Sequence, residues 1–92
     1  LKAEEAVEWG LINKSVKATE LMDEAGSLAE MLAAGPQMAY GRIKDLLNSS
    51  LTTPLETQMD CEARYLALSA QGLDGQIGIK AFLGKSVPHF VE

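Results

Sequence analysis

At 92 residues and 47 % apolar content the chain makes one small domain at most, and folding at this size buries only about 60–65 % of the unfolded surface, which leaves a thin core. Thirteen acidic residues against 8 basic ones give a net charge of −5, which argues against a nucleic-acid-binding face and against a polybasic membrane anchor. No apolar run approaches the roughly 20 residues of a membrane span, and the lone cysteine, Cys61, has no internal disulfide partner.

In chain order, Lys2–Trp9 reads as a short helix with Ala3, Ala6 and Val7 on its apolar side. Gly10 is placed to end it in a left-handed turn, with Leu11 folding back on the last turn. Leu11–Val16 is the one plausible strand; lacking a partner strand, it must join a sheet elsewhere or stay extended. Thr19–Ala34 carries a stripe of Leu21, Ala25, Leu28 and Leu32, with Thr19 as the expected cap. Gly26 inside it predicts close packing. Gly35-Pro36 starts a third helix through Met38, Ala39, Ile43, Leu46 and Leu47 to Asn48.

The longest helix signal follows, over Thr53–Gln71. Thr53 with Glu56 predicts a capping box, with Pro54 at the first helical position. Leu55, Met59, Ala63, Leu66 and Ala70 recur at three- and four-residue steps, so the rest of the chain is expected to pack around this stripe. Gly72 stops the helix. Asp74 is the expected cap of a last helix to Leu83. Gly75, Gly78 and Gly84 predict that this helix is intrinsically weak, and Pro88 prevents its continuation.

The chemistry excluded is broad. His89 has no cysteine or carboxylate at metal-ligand spacing, so no zinc site is expected. Cys61 lies between Asp60 and Glu62, neighbours that disfavour a thiolate, and reads as packing or surface. Gly84-Lys85-Ser86 looks like the end of a phosphate-binding loop, but five residues separate Gly78 from Gly84 where the motif needs four, and the stretch closes a helix instead of opening one. The acids of the first two helices fall on polar faces, which solvation explains better than a general acid–base pair.

Three segments together resemble the C-terminal part of the crotonase superfamily, the enoyl-CoA hydratase/isomerase enzymes. The first is Ala3-Glu4-Glu5-Ala6 leading to Trp9-Gly10-Leu11-Ile12-Asn13. The second is Leu32-Ala33, Gly35-Pro36, Ala39, Lys44 and Leu47, with Leu55-Glu56 opening the next helix. The third is Asp74, Gly78-Ile79, Ala81-Phe82, Lys85, Pro88 and Phe90. Their order and spacing span nearly the whole chain. Ile77, Gly84 and Ser86 depart from the Glu, Glu and Arg common in the family ending, and Lys2 replaces the usual Ser/Thr cap.

The resemblance implies an all-α fold: about four main helices with a short leading helix, the C-terminal trimerisation domain of a crotonase-like protein. Residues 1–17 would be the end of the crotonase spiral domain and residues 18–92 the helical C-terminal domain. The leading Leu1 in place of Met also reads as a cut or processed chain. The oxyanion hole and carboxylates that move protons on an acyl-CoA thioester would lie upstream of Leu1, leaving no catalytic residue here. The parent would be a hydratase (a lyase) or an isomerase, with coenzyme A thioester as substrate, no separate cofactor and no metal. It would assemble as a homo-oligomer, a trimer or a dimer of trimers, in the cytoplasm or an organelle matrix, without nucleic acid or membrane.

Phe82 and Lys85 are the residues assigned to coenzyme A. They share a helix face at i, i+3 spacing, the ring suited to stack on adenine and the ammonium to pair with the 3′-phosphate. Lys80 is a weaker candidate. The competing reading makes Phe82 core and Lys85 a solvated charge. A second functional class, a non-catalytic helical oligomerisation or interaction module, is distinguished from the enzyme by whether a glycine-rich oxyanion loop and suitable Asp or Glu precede Leu1.

Overall fold

Six residues with good helix formers, Ala3–Glu8, form α1, and the backbone N–H of Lys2 donates to Glu5 Oε2 at 2.8 Å to satisfy one free donor at its start. In the computed structural model, which describes residues 1–90, the remaining helices are α2 (Leu21–Ala33), entered through a 3-10 turn at Ala18–Glu20, α3 (Gln37–Ser50), α4 (Leu55–Gln71) and α5 (Leu73–Leu83). The expected all-α class and helix order are both found. Thr19 lies within the 3-10 turn instead of capping α2. Leu11–Val16 is not a strand; among the described residues no strand is present, and residues 11–13 bend before the chain straightens. The chain divides into two units, Leu1–Met31 and one beginning at Leu32, so the division falls in the last turns of α2.

In the first unit α1 ends as its sequence predicts. Gly10 has φ +71°, its N–H donates to the Val7 carbonyl at 3.0 Å, and the Leu11 N–H reaches back to the Ala6 carbonyl at 2.9 Å. These two bonds define a Schellman ending, and Gly10 has no Cβ to oppose the left-handed backbone. Ala6 is buried, whereas Leu21, Met22, Leu28 and Met31 on α2 are 50–79 % exposed. Lys14 pairs with Glu24, both side chains being about half solvated, so the pair contributes under about 1 kcal/mol. A Cβ on Gly26 would meet nothing within 4 Å, so the expected close packing there is absent from the described residues.

In the second unit the end of α2 is closed by a side chain from the next helix. Gln37 Nε2 donates to the carbonyls of Leu32 (2.6 Å), Ala33 (3.1 Å) and Gly35 (3.1 Å), covering acceptors that a helix C-terminus leaves bare. The Tyr40 phenol lies where a Gly35 side chain would begin, so a larger residue at that buried turn would displace the ring. The capping box expected at α4 does not form. Thr53 instead points back to α3, its hydroxyl donating to the Ser49 carbonyl at 2.8 Å, and Pro54 takes the N-cap place. The Ser49 carbonyl, which also accepts the backbone N–H groups of Thr52 and Thr53, draws the side chain back onto the end of α3.

Helix α4 is the middle element of this unit, touching α3 on one side and α5 on the other. Its packed face, however, is not the apolar stripe. Gln58, Cys61, Tyr65 and Ser69 are the half-buried positions, while Leu55, Met59 and Leu66 are 68, 59 and 73 % exposed. The inner face is held by polar ties: Arg42 Nη1 donates to Ser69 Oγ at 2.8 Å, and Gln58 Nε2 to the Leu46 carbonyl at 3.3 Å.

Gly72 ends α4, as expected, and also caps α5, with an extended backbone (φ −70°, ψ 164°). Asp74 does not cap α5 but sits inside its first turn, buried at 5 % exposure, where a carboxylate is favoured by the helix dipole. One of the α5 glycines, Gly75, has a packing role. A Cβ on Gly75 would run into the Ser69 carbonyl and the Ala70 Cα, so Gly75 lets α5 cross the end of α4 at backbone contact.

Candidate functional site

The functional candidates gather where α5 ends. Ala81 is buried, and its carbonyl accepts the Ser86 N–H at 2.9 Å; the Phe82 carbonyl accepts the Lys85 N–H at 3.2 Å. This is the same bond pattern that closes α1, with one difference. The left-handed residue is Lys85, at φ 52°, not the adjacent Gly84, whose φ is −81°. A side chain in that backbone region is disfavoured by about 1 kcal/mol or more relative to glycine.

Phe82, one turn earlier, is 83 % exposed, so its ring belongs to no core within the described residues. Lys80 lies exposed in the last turn of α5. The two do not share a helix face as their spacing predicts, because α5 ends at Leu83; the structure puts Phe82 and Lys85 on one short turn joined by a backbone hydrogen bond. Residues 72–92 carry two lysines and two carboxylates, so the net charge of −5 resides upstream of this end.

Beyond the turn the chain runs back along α5. Phe90 Cε1 stands 3.7 Å from where a Gly78 Cβ would be, and the Phe90 ring lines a cleft of about 200 Å³ with Met38, Arg42, Ser69, Gly72 and Asp74. Phe90 is half-buried, in contrast to Phe82.

A second, open groove of about 600 Å³ runs between α3 and α4, walled by Ile43, Leu46, Met59, Ala63 and Leu66. It is mainly apolar and offers a surface for packing, with Arg42, Glu62 and Tyr65 also on its walls. Among the described residues no group of three His, Cys, Asp or Glu side chains could hold a metal ion, and no helix is long and apolar enough to cross a membrane. Sequence reasoning passed over Arg42 and its tie to Ser69, because the two are 27 residues apart and no local pattern joins them.

Comparison with known proteins points in one direction. The family profile for enoyl-CoA hydratase/isomerase matches residues 1–92. The chain is 42 % identical over 90 residues to the 1,2-epoxyphenylacetyl-CoA isomerase of Escherichia coli K12, covering 98 % of this chain and 34 % of that protein. It is 36 % identical over 56 residues to the carnitinyl-CoA dehydratase of Salmonella agona, covering 61 % of this chain and 22 % of that one. The crystal structure of an enoyl-CoA hydratase from Polaromonas sp. JS666 superposes with a TM-score of 0.92 at 32 % identity, over 99 % of this chain and 35 % of that structure. The chain thus spans about a third of the length of the relatives it matches over most of its own residues.

Proposed function

This chain belongs to the enoyl-CoA hydratase/isomerase family, and we propose that it forms the C-terminal part of a protein acting on acyl-CoA thioesters by enolate-stabilised acid–base chemistry. Residues 1–17 end the spiral domain and residues 18–92 form the helical domain. The oxyanion hole and proton-moving carboxylates are upstream, and this segment serves subunit assembly, as a trimer or a dimer of trimers, and coenzyme A binding, in the cytoplasm or an organelle matrix. An isomerase and a dehydratase are both among the relatives, so this segment accompanies more than one reaction.

The observation that carries the binding role is the left-handed Lys85 beside the exposed Phe82. A glycine at position 85 would relieve the backbone, so a lysine held there against that cost is the mark of a side chain with a use. We assign its ammonium to the 3′-phosphate of coenzyme A and the Phe82 ring to the adenine.

The test is calorimetric titration of the full-length protein with coenzyme A and with dephospho-coenzyme A. Lys85→Ala is expected to weaken coenzyme A by about five-fold at low salt, fading as salt rises, and to leave dephospho-coenzyme A unchanged. Lys85→Gly should lose the same preference yet raise the melting temperature, because it removes the charge and the strain together. Phe82→Ala should weaken both ligands alike. Equal affinities of wild type and Lys85→Ala for coenzyme A at low salt would remove Lys85 from the site.

The assigned division of labour carries its own expectation. The 92-residue chain alone should turn over neither crotonyl-CoA nor a 3-enoyl-CoA. Hydration or isomerisation that co-purifies with the pure chain would overturn the placement of the catalytic groups upstream.

A further inference from the structure

We infer that Phe90 is a positioning residue for Lys85: seated against Gly78, it clamps the returning tail onto α5 and so fixes the turn that presents the lysine. The inference rests on the reading of Lys85 as a coenzyme A contact. Three observations lead to it. The left-handed backbone at Lys85 is disfavoured in isolation and needs something outside the turn to hold it. The bonds that close the turn, Lys85 N–H to the Phe82 carbonyl and Ser86 N–H to the Ala81 carbonyl, lie at a helix end, where fraying is easiest.

The third observation is the tail itself. Past Ser86 the chain has no regular structure, and within it Val87 is 77 % exposed, so the first anchors after the turn are the half-buried Pro88 and Phe90. Pro88 restricts the backbone between turn and anchor. Gly78 presents bare backbone beside the Phe90 ring, and Phe90 also lines the cleft with Met38, Arg42, Ser69, Gly72 and Asp74. A ring anchored four residues beyond Ser86 limits how far Lys85 can swing and lowers the entropy lost when its ammonium meets an anion. Phe90 touches no part of the ligand in this arrangement; it acts through the turn.

The experiment uses the full-length protein and two readouts. The first is amide hydrogen exchange at Lys85 and Ser86. Phe90→Ala is expected to speed both by about ten-fold, while Phe90→Leu, which keeps an apolar plug, stays near wild type. The second is the preference for coenzyme A over dephospho-coenzyme A. Phe90→Ala should cut it by about three-fold, Phe90→Leu should keep most of it, and adding Phe90→Ala to Lys85→Ala should cut it no further, since one works through the other. Unchanged exchange in Phe90→Ala overturns the clamp. Faster exchange with an unchanged ligand preference overturns the link from clamp to lysine. If Lys85→Ala itself leaves the preference intact, the reading of Lys85 fails first, and the positioning role falls with it even where the exchange result stands.

Discussion

Gly75→Ala should destabilise the full-length protein by about 3 kcal/mol, while Gly78→Ala, one turn further along the same helix, should leave it unchanged or stabilise it by up to about 1 kcal/mol. Both substitutions replace a poor helix former with the best one, so propensity favours both. Packing separates them. At Gly75 a Cβ would stand 2.8 Å from the Ser69 carbonyl carbon, closer still to its oxygen, and 2.9 Å from the Ala70 Cα. All three are backbone atoms of α4, and no rotamer change can move them aside; α5 would have to lift off. Asp74 is buried beside that crossing and Arg42 bonds Ser69, so a lift would expose or unpair polar groups as well. At Gly78 the nearest atom to the new methyl is Phe90 Cε1 at 3.7 Å, ordinary van der Waals contact. Thermal and urea unfolding of the two variants beside wild type measure the difference. A Gly75→Ala protein that melts with wild type would rule out the backbone-contact crossing of α4 and α5.

This pair shows what the sequence could tell and what it could not. Apolar periodicity is local, so the helices were legible from it, as was the Gly10 ending, where one residue type and one helix end decide the geometry. The glycines of α5 read as weakness because propensity counts only the helix they interrupt, and nothing near Gly75 in sequence announces the Ser69 carbonyl it admits. Thr53 and Asp74 looked like caps by the same local logic. The Ser49 carbonyl captured one and burial captured the other. The turn at the candidate site was hidden for a related reason. Gly84 is the residue that suits a left-handed backbone, and the chain puts Lys85 there instead. Phe82 and Lys85 were found by resemblance; that they share a hydrogen-bonded turn, and that Phe90 returns to α5 behind it, needed the fold.

The α4 stripe was misjudged in the opposite sense, and that error leads to the last expectation: the isolated chain should be helical but should not stay monomeric. Leu55, Met59, Ala63, Leu66 and Ala70 form an amphipathic face, and such a face ordinarily marks core. Here Leu55, Met59 and Leu66 stand exposed, and Met59, Ala63 and Leu66 wall the open groove opposite Ile43 and Leu46 of α3. On α2 the corresponding stripe is bare too. Leu21, Met22, Leu28 and Met31 on α2, and Leu55, Met59 and Leu66 on α4, are each at least half exposed, and apolar faces of this kind seek a partner. In the parent we assign that partner to the rest of the protein and its neighbouring subunits; cut free, the chain has only other copies of itself. Light scattering from micromolar to submillimolar concentration, with circular dichroism on the same samples, checks this. Helical signal with a mass that rises with concentration is the expected result. A chain that melts cooperatively as a monomer at the highest concentration would mean that these faces close on one another, and it would count against the assembly role assigned to them.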